Sequence, residues 1–295
     1  MLILISILAA FLQASKDIIA KNLSKDISPY TLSVGVSIGM VISNSLILFL
    51  FPPDFKSFLF DINFYSALFL TVFLFAISSI SMSTAFKISD LSLVIPILNF
   101  STLFTLILQP LFGFDLPNSM SILGIFIIIV GSYFLKLDIR KNSFLDPIKS
   151  LFFDKGAVLM LVVAFVWALD NFLGRTGTQQ TNPIFWTLVT SLGTFLLLLI
   201  PAIKADENFF KDLTKNFAML AFSGILTSFS SNLIYYLFIT NDPSSLSIVS
   251  SLLRTAGLFS VLYGMIVLKE KQAGIRIIAL IIMIIGVFVI SFSGV

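Results

Sequence analysis

The stretch Ala10-Phe11-Leu12-Gln13-Ala14-Ser15-Lys16-Asp17 returns as Ala164-Phe165-Val166-Trp167-Ala168-Leu169-Asp170-Asn171. Ala10, Phe11 and Ala14 recur with unchanged spacing. Working outward at the same offset, Pro29, Ser37 and Gly39 recur as Pro183, Ser191 and Gly193. After one inserted residue the match resumes. Ser89, Leu91, Ser92 and Val94 return as Ser244, Leu246, Ser247 and Val249; Leu98, Leu103, Phe104 and Gly131 return as Leu253, Leu258, Phe259 and Gly286. Positions paired in this way are equivalent. Weak internal symmetry in an apolar chain marks membrane folds built from structural repeats, with a ligand site between the halves.

The solvent for most of this chain is lipid. Of 295 residues 58% are hydrophobic and 11% are charged, too few charges to cover a water-exposed surface. Apolar runs such as Leu46 to Phe51 and Ile277 to Ile285 recur from end to end and do not alternate as β-barrel strands do. Cysteine and histidine are absent, which excludes disulfides, thiolate chemistry, Cys-ligated metals and the usual proton switch near neutral pH. No cofactor is expected. The net charge of +3 is small and spread over loops, so no nucleic-acid partner is expected. Met1 to Ala14 lacks a basic start, and Leu12-Gln13-Ala14 is a poor cleavage site, so the segment reads as the first membrane helix.

Apolar length and the breakers between runs predict an all-α polytopic membrane protein of ten transmembrane helices. The expected spans are 2–20, 29–51, 63–86, 89–112 and 118–136, then 156–175, 183–203, 217–239, 245–268 and 273–293. Residues 1–138 form one repeat and 156–295 the other. The charged linker 139–155 between them includes Leu151, Phe152 and Phe153, which suit a short segment lying in the interface. Five spans per half is an odd number, so the second repeat enters from the opposite side and the repeats are inverted. Of the 18 Lys and Arg, Lys16 and Arg254 lie within spans and Lys56 and Arg175 face one side; the other fourteen share the side of the linker. That bias puts the linker in the cytoplasm and both termini outside.

These residues, in this order, resemble the EamA repeat of the drug/metabolite transporter superfamily over nearly the whole chain. A first helix ends in small, polar and charged residues, Gln13 to Asp17 and Trp167 to Asn171. A basic residue and a proline follow, Lys21 and Pro29, then Arg175 and Pro183. The fourth helix of each repeat begins with hydroxyl residues, Ser89 to Ser92 and Ser244 to Ser247. It ends before Gly113-Phe114-Asp115 or Leu268-Lys269-Glu270, and a late glycine follows in the fifth helix, Gly131 or Gly286. Asp115 stands where the family commonly has Glu, and Ser251 stands opposite Pro96. Family members usually keep both termini in the cytoplasm, and the charge count here argues the reverse. The resemblance implies a secondary carrier for small organic solutes in the cell membrane.

Polar groups out of place in lipid nominate the site, because a buried ionisable group costs several kcal/mol unless it is paired or faces a cavity. Arg254 is the deepest charge and suits either an anionic group of a solute or a structural ion pair. Asp170 suits a pair with Arg254 or a proton carrier. Lys16 and Asp17 either line the path or snorkel to the interface. Trp167 stands beside Asp170 at a depth for stacking on a solute. Asn99, equivalent to Arg254, and Asn232 each suit either an interhelical hydrogen bond or cavity lining. Asn171 and Tyr235 complete the candidate set; Trp186, Tyr235 and Tyr236 also suit interfacial or packing places. Pro96 breaks a helical hydrogen bond near mid-span, and Gly35 and Gly39 form a G-x-x-x-G pair.

The expected function is alternating-access transport of a small organic molecule, the lining drawn from helices one to four and six to nine, with proton or counter-solute coupling possible. Amino-acid or related metabolite efflux leads; uptake of sugar, choline or nucleotide-sugar solutes is the alternative. An intramembrane aspartyl enzyme built on Asp17 and Asp170 lacks its Gly-x-Gly-Asp motif. A channel lacks a filter-like loop, and an ATP-driven pump lacks a phosphate loop.

Overall fold

The computed structural model describes residues 2–50, 62–112, 118–135, 153–240, 253, 256–270 and 273–292, and every regular element among them is helical. The first half gives α1 Leu2–Leu23, α2 Pro29–Leu50, α3 Ile62–Ile88, α4 Leu91–Phe112 and α5 Ser119–Leu135. The second gives α6 Lys155–Gln180, α7 Pro183–Ala205, α8 Phe217–Thr240, α9 Ala256–Ile266 and α10 Ala273–Ser291. A short connector helix, Phe209–Lys215, precedes α8 and has no counterpart in the expected spans. Six helices are long and apolar enough to cross a membrane: α2, α3, α4, α6, α7 and α8; α5, α9 and α10 contain shorter apolar segments. The linker 139–155 lies outside the described residues up to Phe153. Large apolar side chains such as Phe49, Phe69 and Phe126 stand exposed on the outer surface, where lipid replaces water.

Local chemistry sets the helix ends. Asp154 accepts from Ala157 N at 3.0 Å and caps α6; Asn182 accepts from Phe185 N at 2.7 Å and caps α7, with Pro183 in the first turn. The start of α4 has no cap from its own Asp90. Glu270, from the turn after α9, supplies it: its carboxylate accepts from Leu91 N at 2.8 Å and Ser92 N at 2.9 Å. Arg276 donates to Asp90 at 2.9 Å and Ser92 Oγ at 2.7 Å, and fastens α10 to the same point. Replacing Glu270 by Ala therefore orphans two amides. The expected loss is about 1–2 kcal/mol, read as a lower melting midpoint in detergent, with Glu270→Gln losing less. Asp115, the equivalent of Glu270, lies outside the described residues.

Inside α4, Pro96 has no N–H to donate, and residues Ile95–Asn99 tighten into a 3₁₀ turn between α-helical stretches. α6 runs five residues past its expected end at 175, because Gly174 and Gly177 give way to rings: a Cβ on Gly174 would stand 2.6 Å from Tyr235, and one on Gly177 would overlap Trp186. Trp186 is fully buried, edge to face with Phe64 at 5.6 Å, which makes it a packing residue. Tyr236 is exposed and Tyr235 is buried.

Equivalent helices pack on each other in opposite directions. On α5 and α10, Gly131 meets Met283 and Ala279, while Gly124 meets Gly286 and Ile290. Gly131 is equivalent to Gly286 and Gly124 to Ala279, so each contact is the image of the other. On α2 and α7, Val34 near one start packs with Leu198 and Ala202 near the other end, and Thr31 donates to Asp206. The mixed pairs obey the same exchange: α3 packs on α6 as α8 packs on α1, and α4 packs on α6 as α9 packs on α1. A two-fold lying across the helix axes relates the halves.

Candidate functional site

A cavity of about 250 Å³ sits between the halves. Its wall draws Gln13, Lys16, Asp17 and Ala20 from α1, Leu32, Ser33, Val36 and Met40 from α2, Phe75, Ser78, Ser79, Met82, Ser83 and Phe86 from α3, Trp167, Asp170 and Asn171 from α6, Ser191 and Thr194 from α7, and Ser223, Thr227, Ser230, Ser231, Ile234 and Tyr235 from α8. Leu253 adds one apolar contact. α4, expected in the lining, contributes none. One end of the bundle gathers the end of α1, the start of α2, the end of α3 and the start of α6. There Lys21 donates to the carbonyls of Phe86 and Ser89, Lys87 donates to Ile27 O, and Ser89 abuts Gly156. This is the linker side. Ala20, Leu32 and Phe86 carry the cavity to within about a turn of it.

Six candidates from the sequence meet at this wall: Lys16, Asp17, Trp167, Asp170, Asn171 and Tyr235. Lys16 Nζ lies 3.0 Å from Asp17 and 5.7 Å from the Trp167 ring centre. That places a cation between a carboxylate and an aromatic face. Neither charge snorkels: the Asp17 side chain is 3% exposed and that of Lys16 14%. Asp170 Oδ2 accepts from the Tyr235 hydroxyl at 2.7 Å, while Asp170 Oδ1 is buried with no hydrogen-bond partner among the described residues. Asn171 Nδ2 donates to Thr105 Oγ1 on α4 at 2.9 Å. Among the described residues no three carboxylates gather as a metal cluster would require.

Two of the remaining candidates lie elsewhere. Asn99 is buried in the 3₁₀ turn of α4, off the cavity, and its Nδ2 has no partner, so neither the interhelical bond nor the lining place is observed. The tightened turn after Pro96 rotates it away from the place a straight α-helix would give it. Asn232 also stands off the cavity. It donates to Asn44 Oδ1 at 2.8 Å, which Ser228 Oγ also reaches at 3.0 Å, so it ties α8 to α2. Arg254 lies outside the described residues.

Gln13 and a set of hydroxyls make up the rest of the polar wall. Ser33 and Ser83 pair at 3.1 Å; Ser78, Ser79, Ser191, Thr194, Ser223, Thr227, Ser230 and Ser231 also face in. Thr194 and Thr227 donate to carbonyls one turn back, each at 2.8 Å, which leaves their lone pairs to accept from a ligand. The signal was in the sequence as serines and threonines three and four apart on the third helix of each repeat, where one face is shared.

A duplicated, all-helical, lipid-solvated bundle around a central cavity with polar groups in its wall defines a multi-pass membrane protein of the transport class. The EamA-like transporter family model matches residues 1–137 and again residues 154–292, and the chain belongs to that family. An "uncharacterized transporter" of Methanothermobacter thermautotrophicus (strain Delta H) is 27% identical over 200 residues. That match spans 67% of this chain and 56% of the length of the relative. A protein solved by crystallography superposes with a TM-score of 0.65 over 99% of this chain and 97% of its own, at 11% identity, which is a likeness of fold.

Proposed function

We propose that the chain is a secondary transporter that alternates access of a small organic solute to the central cavity, with efflux of amino acids or related metabolites as its role. The observation that carries this reading is the set of Lys16, Asp17 and Asp170 on one wall shared by both halves. The free oxygen of Asp170 suits an ammonium. Lys16, beside Trp167, suits a carboxylate whenever it leaves Asp17, and the hydroxyls suit either end. An amino acid offers both groups. The ten helical segments function as ten spans in two inverted five-helix repeats, which the antiparallel contacts of α5 with α10 and α2 with α7 support. The linker side faces the cytoplasm of the cell membrane, as its excess of Lys and Arg favours. Asp170 exchanges a proton or a counter-solute for the cationic group. No bond is made or broken in the solute.

A thermal-shift screen of the purified protein tests the reading. Amino acids at a hundred times their dissociation constant are expected to stabilise it by about 2.7 kcal/mol. A response to choline-type amines or sugars alone moves the assignment to the uptake alternative, which the Trp167 ring and the hydroxyl wall favour. Proteoliposomes that fail to move any solute that binds sink the carrier reading.

A further inference from the structure

The halves share one packing scheme but are not in the same state. Phe11 and Phe259 meet edge to face, 6.0 Å between ring centres and 87° between planes. Their equivalents Phe165 and Phe104 meet at 5.6 Å and 83°. The α1–α9 and α6–α4 interfaces are thus built alike. The Asn22–Tyr263 bond has no counterpart at Thr176 and Leu108, and a second polar bond, beside the cavity, breaks the likeness in the other direction. Asn171 donates to Thr105 at 2.9 Å, whereas the equivalent positions, Asp17 and Ser260, form no such bond. Asp17 is paired with its neighbour Lys16 at 3.0 Å. Ser260 Oγ is fully buried with no hydrogen-bond partner among the described residues. The flanking contacts bracket the two at one height: Ala14 packs with Ala256 before them, and Asn22 donates to the Tyr263 hydroxyl at 2.8 Å beyond them. A buried hydroxyl without a partner is uncommon, and it marks a place where another arrangement lowers the free energy.

We propose that Asn171–Thr105 and Asp17–Ser260 are alternative latches, the first closed in the present state and the second closed in the opposite-facing one. The proposal rests on the carrier reading above. Thr105 and Ser260 line no part of the cavity, yet each is placed to hold a residue that does. They are positioning residues. When the halves exchange conformations, α6 leaves α4 and Asn171 releases Thr105. α1 closes on α9, and the Ser260 hydroxyl donates to the Asp17 carboxylate. Lys16 then loses its partner, so its ammonium meets the solute in only one of the two states. The cavity offers a different charge to each side of the membrane.

The chain has no native cysteine, so a single Ser79→Cys on the cavity wall reports access cleanly to a membrane-impermeant maleimide. In proteoliposomes Thr105→Val is expected to slow labelling of that cysteine several-fold, and Asn171→Ala to act in the same direction. Ser260→Ala removes only the absent latch. It is expected to leave labelling at the parent rate or above, keep the melting midpoint, and slow solute turnover several-fold. Solute-induced stabilisation survives in Thr105→Val and Ser260→Ala. Variants on the two sides that move labelling the same way, or not at all while a solute still moves it, overturn the latches and leave the carrier standing. A cysteine indifferent to every variant and to every solute overturns both.

Discussion

Replacing Asp170 by Asn is expected to cut solute-induced stabilisation to about half or less while the unliganded protein melts at the parent temperature or above. Two features of Asp170 drive the two effects apart. Its Oδ2 accepts from Tyr235 at 2.7 Å, a bond that an asparagine oxygen keeps. Its Oδ1 is buried without a partner, and an ionised carboxylate held that way costs several kcal/mol until a cation arrives. The amide removes that cost and with it the reason to bind an ammonium. A hydrogen bond to a charged group contributes about 1.5–3 kcal/mol, so the affinity for an amine-bearing solute falls roughly ten- to a hundred-fold. At a concentration that stabilises the parent by about 2.7 kcal/mol, the variant then gains about 0.4–1.4 kcal/mol. Tyr235→Phe is the complement. It removes the one hydrogen bond Asp170 makes among the described residues, so it is expected to destabilise the unliganded protein by about 1–3 kcal/mol and weaken binding less than Asp170→Asn does. Titration calorimetry and thermal melts of both variants check the split. Equal solute affinity in Asp170→Asn and the parent would remove Asp170 from the site.

The architecture was legible because repeats and apolar lengths are one-dimensional signals. Ala10, Phe11 and Ala14 carry the duplication to the eye, and Phe11 and Phe165 then make equivalent contacts in three dimensions. Depth was legible as well: a charge about a turn from the end of an apolar run, as Asp170 and Lys16 are, falls where the bundle leaves room. Azimuth was not. Asn99 and Asn232 have the depth of cavity residues but point elsewhere, because a helix apolar on every face has no period to tell its lining side from its packing side. α2 shows the point from the other direction. Its Asn44 is the hub that Ser228 and Asn232 bond to, and nothing in its neighbours on the chain singles it out. The cap on α4 was hidden for a different reason. Glu270 is far away in sequence, and only the folded chain brings it to Leu91. The hydroxyl wall was masked because Ser and Thr in membrane helices so often satisfy themselves on their own backbone, as Thr194 and Thr227 do.

Gly39→Val is expected to stop the protein from assembling, with an effect on folding larger than that of any substitution at the cavity. The bundle closes because α2 and α8 approach backbone to backbone. A Cβ on Gly39 would overlap the carbonyl oxygen of Ala221 and stand 2.8 Å from its Cα; one on Gly224, across the contact, would overlap Val36 O and lie 2.7 Å from the Gly39 Cα. Backbone cannot turn aside as a side chain does, so the helices must separate. Gly35 is the milder case within the same G-x-x-x-G pair: a new Cβ there would stand 2.7 Å from Leu220 Cδ1, which can shift, and 2.9 Å from Leu220 Cβ, which moves only with its helix. Overpacking typically costs about 1–3 kcal/mol, and more where the obstacle cannot move. Gly35→Ala therefore belongs within that range and Gly39→Val beyond it. Separation of α2 from α8 would also break the Asn44–Asn232 and Asn44–Ser228 bonds that lie further along the same seam. Without water in the bilayer core, those amides would find few other partners. Monodisperse yield in detergent reads the outcome: Gly39→Val aggregates, Gly35→Ala elutes with the parent at a slightly lower melting midpoint. Recovery of a well-folded Gly39→Val protein would mean that the close approach of these two helices is not what closes the cavity.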